Sequence, residues 1–116
     1  MALGVAMGAF GAHALRTRLD AYSLSVYEKA VFYHFIHALG ILLVAVLARA
    51  GAISATAQGR VGWLLLIGIV FFSGSLYALA LTGVRMLGAI TPIGGVAFIA
   101  GWLWLAYEAL RTNSRV

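Results

Sequence analysis

The chain has no cysteine, which removes disulfides, thiolate metal sites and thiol nucleophiles at once. It has one proline, Pro92, so helices can run unbroken almost everywhere else. Acids are nearly as scarce. Asp20, Glu28 and Glu108 stand against eight Lys and Arg, and charged residues make up only 9% of the 116 positions. A soluble domain carries about 25% charged residues. The basic excess could suggest nucleic acid, but these residues are scattered one or two per gap, with no basic stripe and no nucleic-acid motif. Such spacing fits loops at lipid headgroups and implies no nucleic-acid partner.

What the chain does have is apolar surface. Hydrophobic residues make up 64% and the mean hydropathy is +1.03. The apolar stretches run over residues 1–15, 30–48, 61–81 and 92–110. A bilayer accepts that surface as an exterior, whereas a soluble fold of this size could not hide it. The expectation is therefore a single all-α domain, an integral membrane bundle of four transmembrane helices with lipids as its surroundings. Helices are expected at about 1–15, 24–48, 60–82 and 92–110. The first stretch would span only about 22 Å of helix against a hydrocarbon core of about 30 Å. It reads as a short helix whose upstream turn is missing.

Small residues recur at helical spacing along the stretches. Gly4, Gly8 and Ala12 share a face, as do Gly74 and Ala78, and Gly94, Ala97 and Gly101 form another. In lipid, close backbone approach along such faces drives helix association. In the second stretch Ala30, His34, His37, Ala38, Ile41, Ala45 and Ala48 form one face, which should look into the bundle. Residues 22–29 read as an interfacial lead-in, with Tyr22 and Tyr27 at headgroup level. Trp63 reads as an anchor, Gly83 as a helix stop, Thr91 as an N-cap and Pro92 as a first helical residue.

The residues that could carry chemistry are few. They are His13, His34 and His37: imidazole is the side chain whose unperturbed charge change lies nearest neutral pH, and ionisable groups inside a membrane are functional candidates by default. A helical hairpin would bring the three toward one side of the membrane. With Tyr33, Ser73 and Ser75 they outline a buried polar seam. Two imidazoles on facing helices could hold a haem, and His13 with His37 is the pair to consider. The plainer reading is packing: a histidine on a small-residue face bridges neighbouring helices, and the serines act as interhelical glue. Ser73 and Ser75 have no acid companion for a nucleophile–base set. Glu108 and Arg111, three residues apart, read as a solvated pair at a helix end.

Four segments occur in order: GAFGAHAL (8–15), YHFIHALGILL (33–43), FFSGSLYALALTG (71–83) and ITPIGGVAFIAGW (90–102). Together they resemble the small membrane-protein family known as domain of unknown function 423, over nearly the whole chain. The resemblance implies four transmembrane helices in the bacterial inner membrane, and no activity. Family members usually carry ten or more further residues before GAFGAH, often including a basic one. They generally have Gln where this chain has His34, so only His13 and His37 match the pattern.

Basic residues alone leave the orientation tied. Arg49, Arg60, Arg111 and Arg115 lie on the side of the termini, with Arg16, Arg18, Lys29 and Arg85 opposite. A basic upstream segment would place both termini in the cytoplasm. The expected function is non-enzymatic, through helix packing, assembly as a homo-oligomer or contact with other membrane proteins, with no cofactor and no metal. The alternatives are a haem- or metal-binding redox protein using His13 and His37, and a small oligomeric transporter or channel with a histidine-lined polar path.

Overall fold

A computed structural model describes residues 1–115, and every regular element among them is helical. Helix α1 (Ala2–Phe10) runs on through a π-helical turn (Gly11–Leu15). Helix α2 (Ala21–Arg49) returns antiparallel to it. The third span is α3 (Ala55–Gly68), a second π turn (Ile69–Ser73) and α4 (Gly74–Thr82). A 3-10 turn (Arg85–Ala89) leads into α5 (Thr91–Asn113). The bundle is long and flat, 55 by 26 by 16 Å. Three spans are long and apolar enough to cross a membrane, and residues 2–15 form a shorter apolar helix.

Caps set the boundaries, and they move two helix starts upstream of where hydrophobicity begins. The Asp20 carboxylate accepts the Ser23 N–H at 2.7 Å, so α2 starts at Ala21. Ser54 Oγ accepts the Ala57 N–H, so α3 starts at Ala55, about a turn and a half before Arg60. Gly51 and Gly83 take positive φ angles of 75° and 72°, which glycine adopts without a steric penalty. Gly83 closes α4 in the left-handed conformation. Thr91 does not cap α5. It lies within the helix, and its hydroxyl meets Ser75 Oγ at 2.6 Å instead.

The surface is inverted relative to a soluble bundle: Leu39, Trp63, Val96, Leu103 and Leu110 point outward. Inside, two apolar clusters occupy opposite ends. One joins Val44, Ile53, Ala57, Val61, Leu65, Phe98 and Leu105. The other joins Leu15, Val26, Tyr27, Leu79 and Ala80. Polar side chains lie between them, because a hydrogen-bonding group at mid-membrane needs a protein partner.

The glycines set the approach distances. A Cβ at Gly94 would collide with the Phe72 backbone, and one at Gly68 with the Phe98 ring. At Gly101 it would come within 2.9 Å of Leu65. Ala97 is buried on the same side of α5. The third span packs differently from its Gly74–Ala78 spacing. Both residues are only half-buried, and the nearest atom to a Cβ at Gly74 would be Ile69 O, 3.9 Å away within the same span. On α1 the close contacts fall at Gly4, Gly8 and Gly11, and Ala12 is exposed. Positions 4, 8 and 11 lie on one stripe of a 3.6-residue helix, whereas a strict four-residue step drifts about 40° each time and carries Ala12 off it.

A membrane-centred polar belt

The α1–α2 hairpin has a readable register. Gly4 lies over the face of the His34 ring, Gly8 beside Val31 and Phe35, and Gly11 against the Tyr27 ring. Tyr27 is therefore no interfacial anchor. It is 1% exposed, and its hydroxyl donates to the Met7 carbonyl oxygen. Tyr22, by contrast, is exposed. Following the small-residue face of α2 one turn upstream of Ala30 would have reached Tyr27 in the sequence.

That register separates the histidines. His37 lies ten residues beyond Tyr27, so about 15 Å of helix divides it from the level of Gly11. His13 is exposed on the π turn and does not join the buried seam. At about 100° per residue, position 13 falls on the face opposite the line that Gly4, Gly8 and Gly11 follow. His13 and His37 are thus too far apart to ligate one haem iron. Among the described residues no group of three or more His, Asp or Glu could hold a metal ion.

His34 and His37 are both buried, but they border different surroundings. The Nδ1–H of His37 donates to the Tyr33 carbonyl oxygen of its own helix at 2.7 Å. Its ring stacks on Phe98 with centroids 3.4 Å apart, and Tyr33 and Trp102 flank it. The Tyr33 side chain is half-exposed, with its ring against Phe72. His34 turns the other way, and its Nδ1 meets the Tyr77 hydroxyl at 3.0 Å. Tyr77 packs edge-on against Tyr27 at 5.2 Å.

The two serines also part company. Two residues along a helix turn about 200°, so neighbours at that spacing face opposite sides. Ser73 Oγ, fully buried, donates to the Ala30 carbonyl oxygen of α2 at 2.8 Å. Ser75 Oγ donates to the Phe72 carbonyl oxygen and meets Thr91 Oγ1 of α5. The third span is thus tied to α2 on one side and α5 on the other. At the end of the bundle shared by the α2–α3 turn and the end of α5, Glu108 is buried and pairs with Arg111 at 3.1 Å. Arg60 lies over Trp104, 5.3 Å from the ring centroid. Glu108 was expected to be solvated; only its arginine partner is well exposed.

Asp20 lies just outside α2. The backbone N–H of Ser23, with a further contribution from the Ser23 side chain, holds its carboxyl below the ordinary value of 3.8.

Comparison with known proteins agrees with this architecture. The family model described as "Protein of unknown function (DUF423)" matches residues 7–95. A UPF0382 membrane protein of Staphylococcus saprophyticus is 55% identical over 103 residues, covering 89% of this chain and 83% of its own. A second, from Staphylococcus haemolyticus, is 53% identical over 112 residues, covering 94% and 87%. The UPF0382 membrane protein YwdK of Bacillus subtilis is 48% identical over 111 residues, covering 94% and 88%. No solved structure matches. The chain is a helical membrane protein and belongs to the DUF423 family, whose function is uncharacterised.

Proposed function

We propose that this protein is non-enzymatic and acts within the bilayer through helix packing, assembly or contact with a partner. The supporting observation is how the polar belt uses its hydrogen bonds. Ser73 binds the α2 backbone, Ser75 binds Thr91, Tyr27 binds the α1 backbone and His37 binds its own helix. The first three hold spans together, and the four do not converge on one point where a nucleophile, a base and an orienting group could act in concert. In a bacterium such a protein sits in the plasma membrane, and both termini are placed in the cytoplasm.

Purification with native lipids retained, followed by absorption spectroscopy and metal analysis, tests this reading. Protein absorption in the aromatic range, no haem band and substoichiometric metal support it. His37→Ala should lower stability and leave the spectrum unchanged. A haem band or a stoichiometric metal that is lost in His37→Ala would overturn it. For orientation, Ser114→Cys in this cysteine-free chain should resist a membrane-impermeant maleimide on intact cells and react after lysis.

A further inference from the structure

Tyr22, Leu79, Arg85 and Gly88 line a cavity of about 380 Å³ at the end of the bundle where α2 begins and α4 stops. That volume lies within the roughly 300–1,000 Å³ of small-molecule sites. Tyr22 stands in the first turn of α2, and Arg85 follows shortly after α4 ends at Thr82. Both therefore sit at the level of the lipid headgroups, where aromatic and basic residues flank a span. Leu79 forms an apolar wall. Gly88 adds no side chain, and a Cβ there would make only an ordinary contact, 3.8 Å from Leu79 Cδ2. Its φ is not in the left-handed region, so a larger side chain could be carried at that position.

The charges favour an anion here. Among the described residues the only ion pair is Glu108 with Arg111, at the other end of the bundle, so Arg85 has no acid partner. At that other end Arg60 also lies over the Trp104 ring, and Arg111 over the Tyr107 ring. Neither Asp20 nor Glu28 lines the cavity, and the Asp20 carboxylate is taken up by the Ser23 N–H as the α2 cap. A guanidinium and a phenol hydroxyl together supply N–H and O–H donors and a positive charge, the chemistry that holds a phosphate. Free phosphate and a phospholipid headgroup share that chemistry. The apolar surroundings choose between them. Val84 and Met86 flank Arg85 and are 49% and 83% exposed, and Leu79 adds its wall. Glycerol and acyl chains cover surface of that kind, whereas an inorganic ion gains nothing from it.

We propose that this cavity binds one anionic phospholipid, with its phosphodiester held by Arg85 and the Tyr22 hydroxyl and its glycerol end against Leu79. A net negative headgroup is required, because a choline headgroup would set a second cation beside Arg85. The site goes beyond the non-enzymatic reading, which stands whether or not a lipid is held here.

The test is native mass spectrometry of the full chain in detergent, titrated with phosphatidylglycerol, with phosphatidylcholine of the same acyl chains, or with inorganic phosphate. One phosphatidylglycerol per chain should bind ahead of phosphatidylcholine, and inorganic phosphate should not displace it. Arg85→Gln should weaken that first binding step about tenfold, the effect of losing a hydrogen bond to a charged group. Arg85→Lys, which keeps the charge, should restore part of it. Gly88→Leu keeps every charge and fills the cavity, so it should weaken binding at least as much. Arg16→Gln removes the same charge at an exposed position outside the cavity and should bind as the parent does. Arg85 is itself exposed and without an ion-pair partner, so its replacement leaves the fold intact, and circular dichroism checks this. Equal affinity for the two lipids overturns the proposal. So does undiminished binding to Arg85→Gln or Gly88→Leu, a loss in Arg16→Gln as large as in Arg85→Gln, or displacement of the lipid by inorganic phosphate.

Discussion

Gly94 and Gly95 are adjacent on α5 and differ in what a methyl group would meet, which makes them a controlled pair. At Gly95 a Cβ would sit 3.8 Å from the Phe72 ring, an ordinary contact. At Gly94 it would collide with the backbone N and Cα of Phe72. That backbone has little room to yield. Phe72 lies in the π turn, its carbonyl accepts from Ser75, and its ring packs against Tyr33 and Phe98. Either substitution by alanine gains about 1 kcal/mol of helix propensity, so that contribution cancels between them. What remains is overpacking at residue 94, about 1–3 kcal/mol. Gly95→Ala should therefore equal or exceed the parent protein in stability, and Gly94→Ala should fall below Gly95→Ala by about 1–3 kcal/mol. Unfolding in bicelles titrated with a denaturing detergent, followed by circular dichroism, reads the difference. Equal stability of the two variants would refute the proposed close approach of α5 to the π turn.

Three further outcomes follow from the caps and the hairpin register. The lowered carboxyl pKa of Asp20 means its charged form is favoured in the folded state, so its contribution is complete above the ordinary value of 3.8 and fades as pH falls through the lower folded value. An acid titration of stability should show this loss in the parent and not in Asp20→Asn. Ser54→Ala removes the α3 cap and should cost about 0.5–2 kcal/mol in the same unfolding assay. Gly8→Cys with Val31→Cys should cross-link on mild oxidation, because a Cβ at residue 8 lies 3.5 Å from Val31 Cγ1, and Ala9→Cys with Val31→Cys should not.

The all-helical architecture was legible because apolar runs interrupted by arginine report the solvent directly. The buried face of α2 was legible too, since Ala30, His34, His37 and Ala38 repeat at helical spacing and all four are buried. What misled on α1 was a strict four-residue repeat. A 3.6-residue helix drifts about 40° with each four-residue step, so Ala12 and His13 face outward and Gly11 takes the place expected of Ala12. Tyr77 and Thr91 were missed as polar partners because their roles depend on which spans meet, and a single helix's pattern does not encode that. Glu108 was misjudged for a related reason: the Glu–Arg spacing shows a pair but not that one member turns inward.

The central claim is that the polar side chains of the belt hold the spans together, and Ser73 tests it most directly. Its hydroxyl is fully buried and its bond to the Ala30 carbonyl oxygen joins the third span to α2. Ser73→Ala in bicelles should lose about 0.6 kcal/mol and at most about 1.7 kcal/mol of unfolding free energy, with helicity retained. Ser25→Ala, at an exposed position, should leave stability unchanged. A Ser73→Ala protein as stable as the parent would contradict the account.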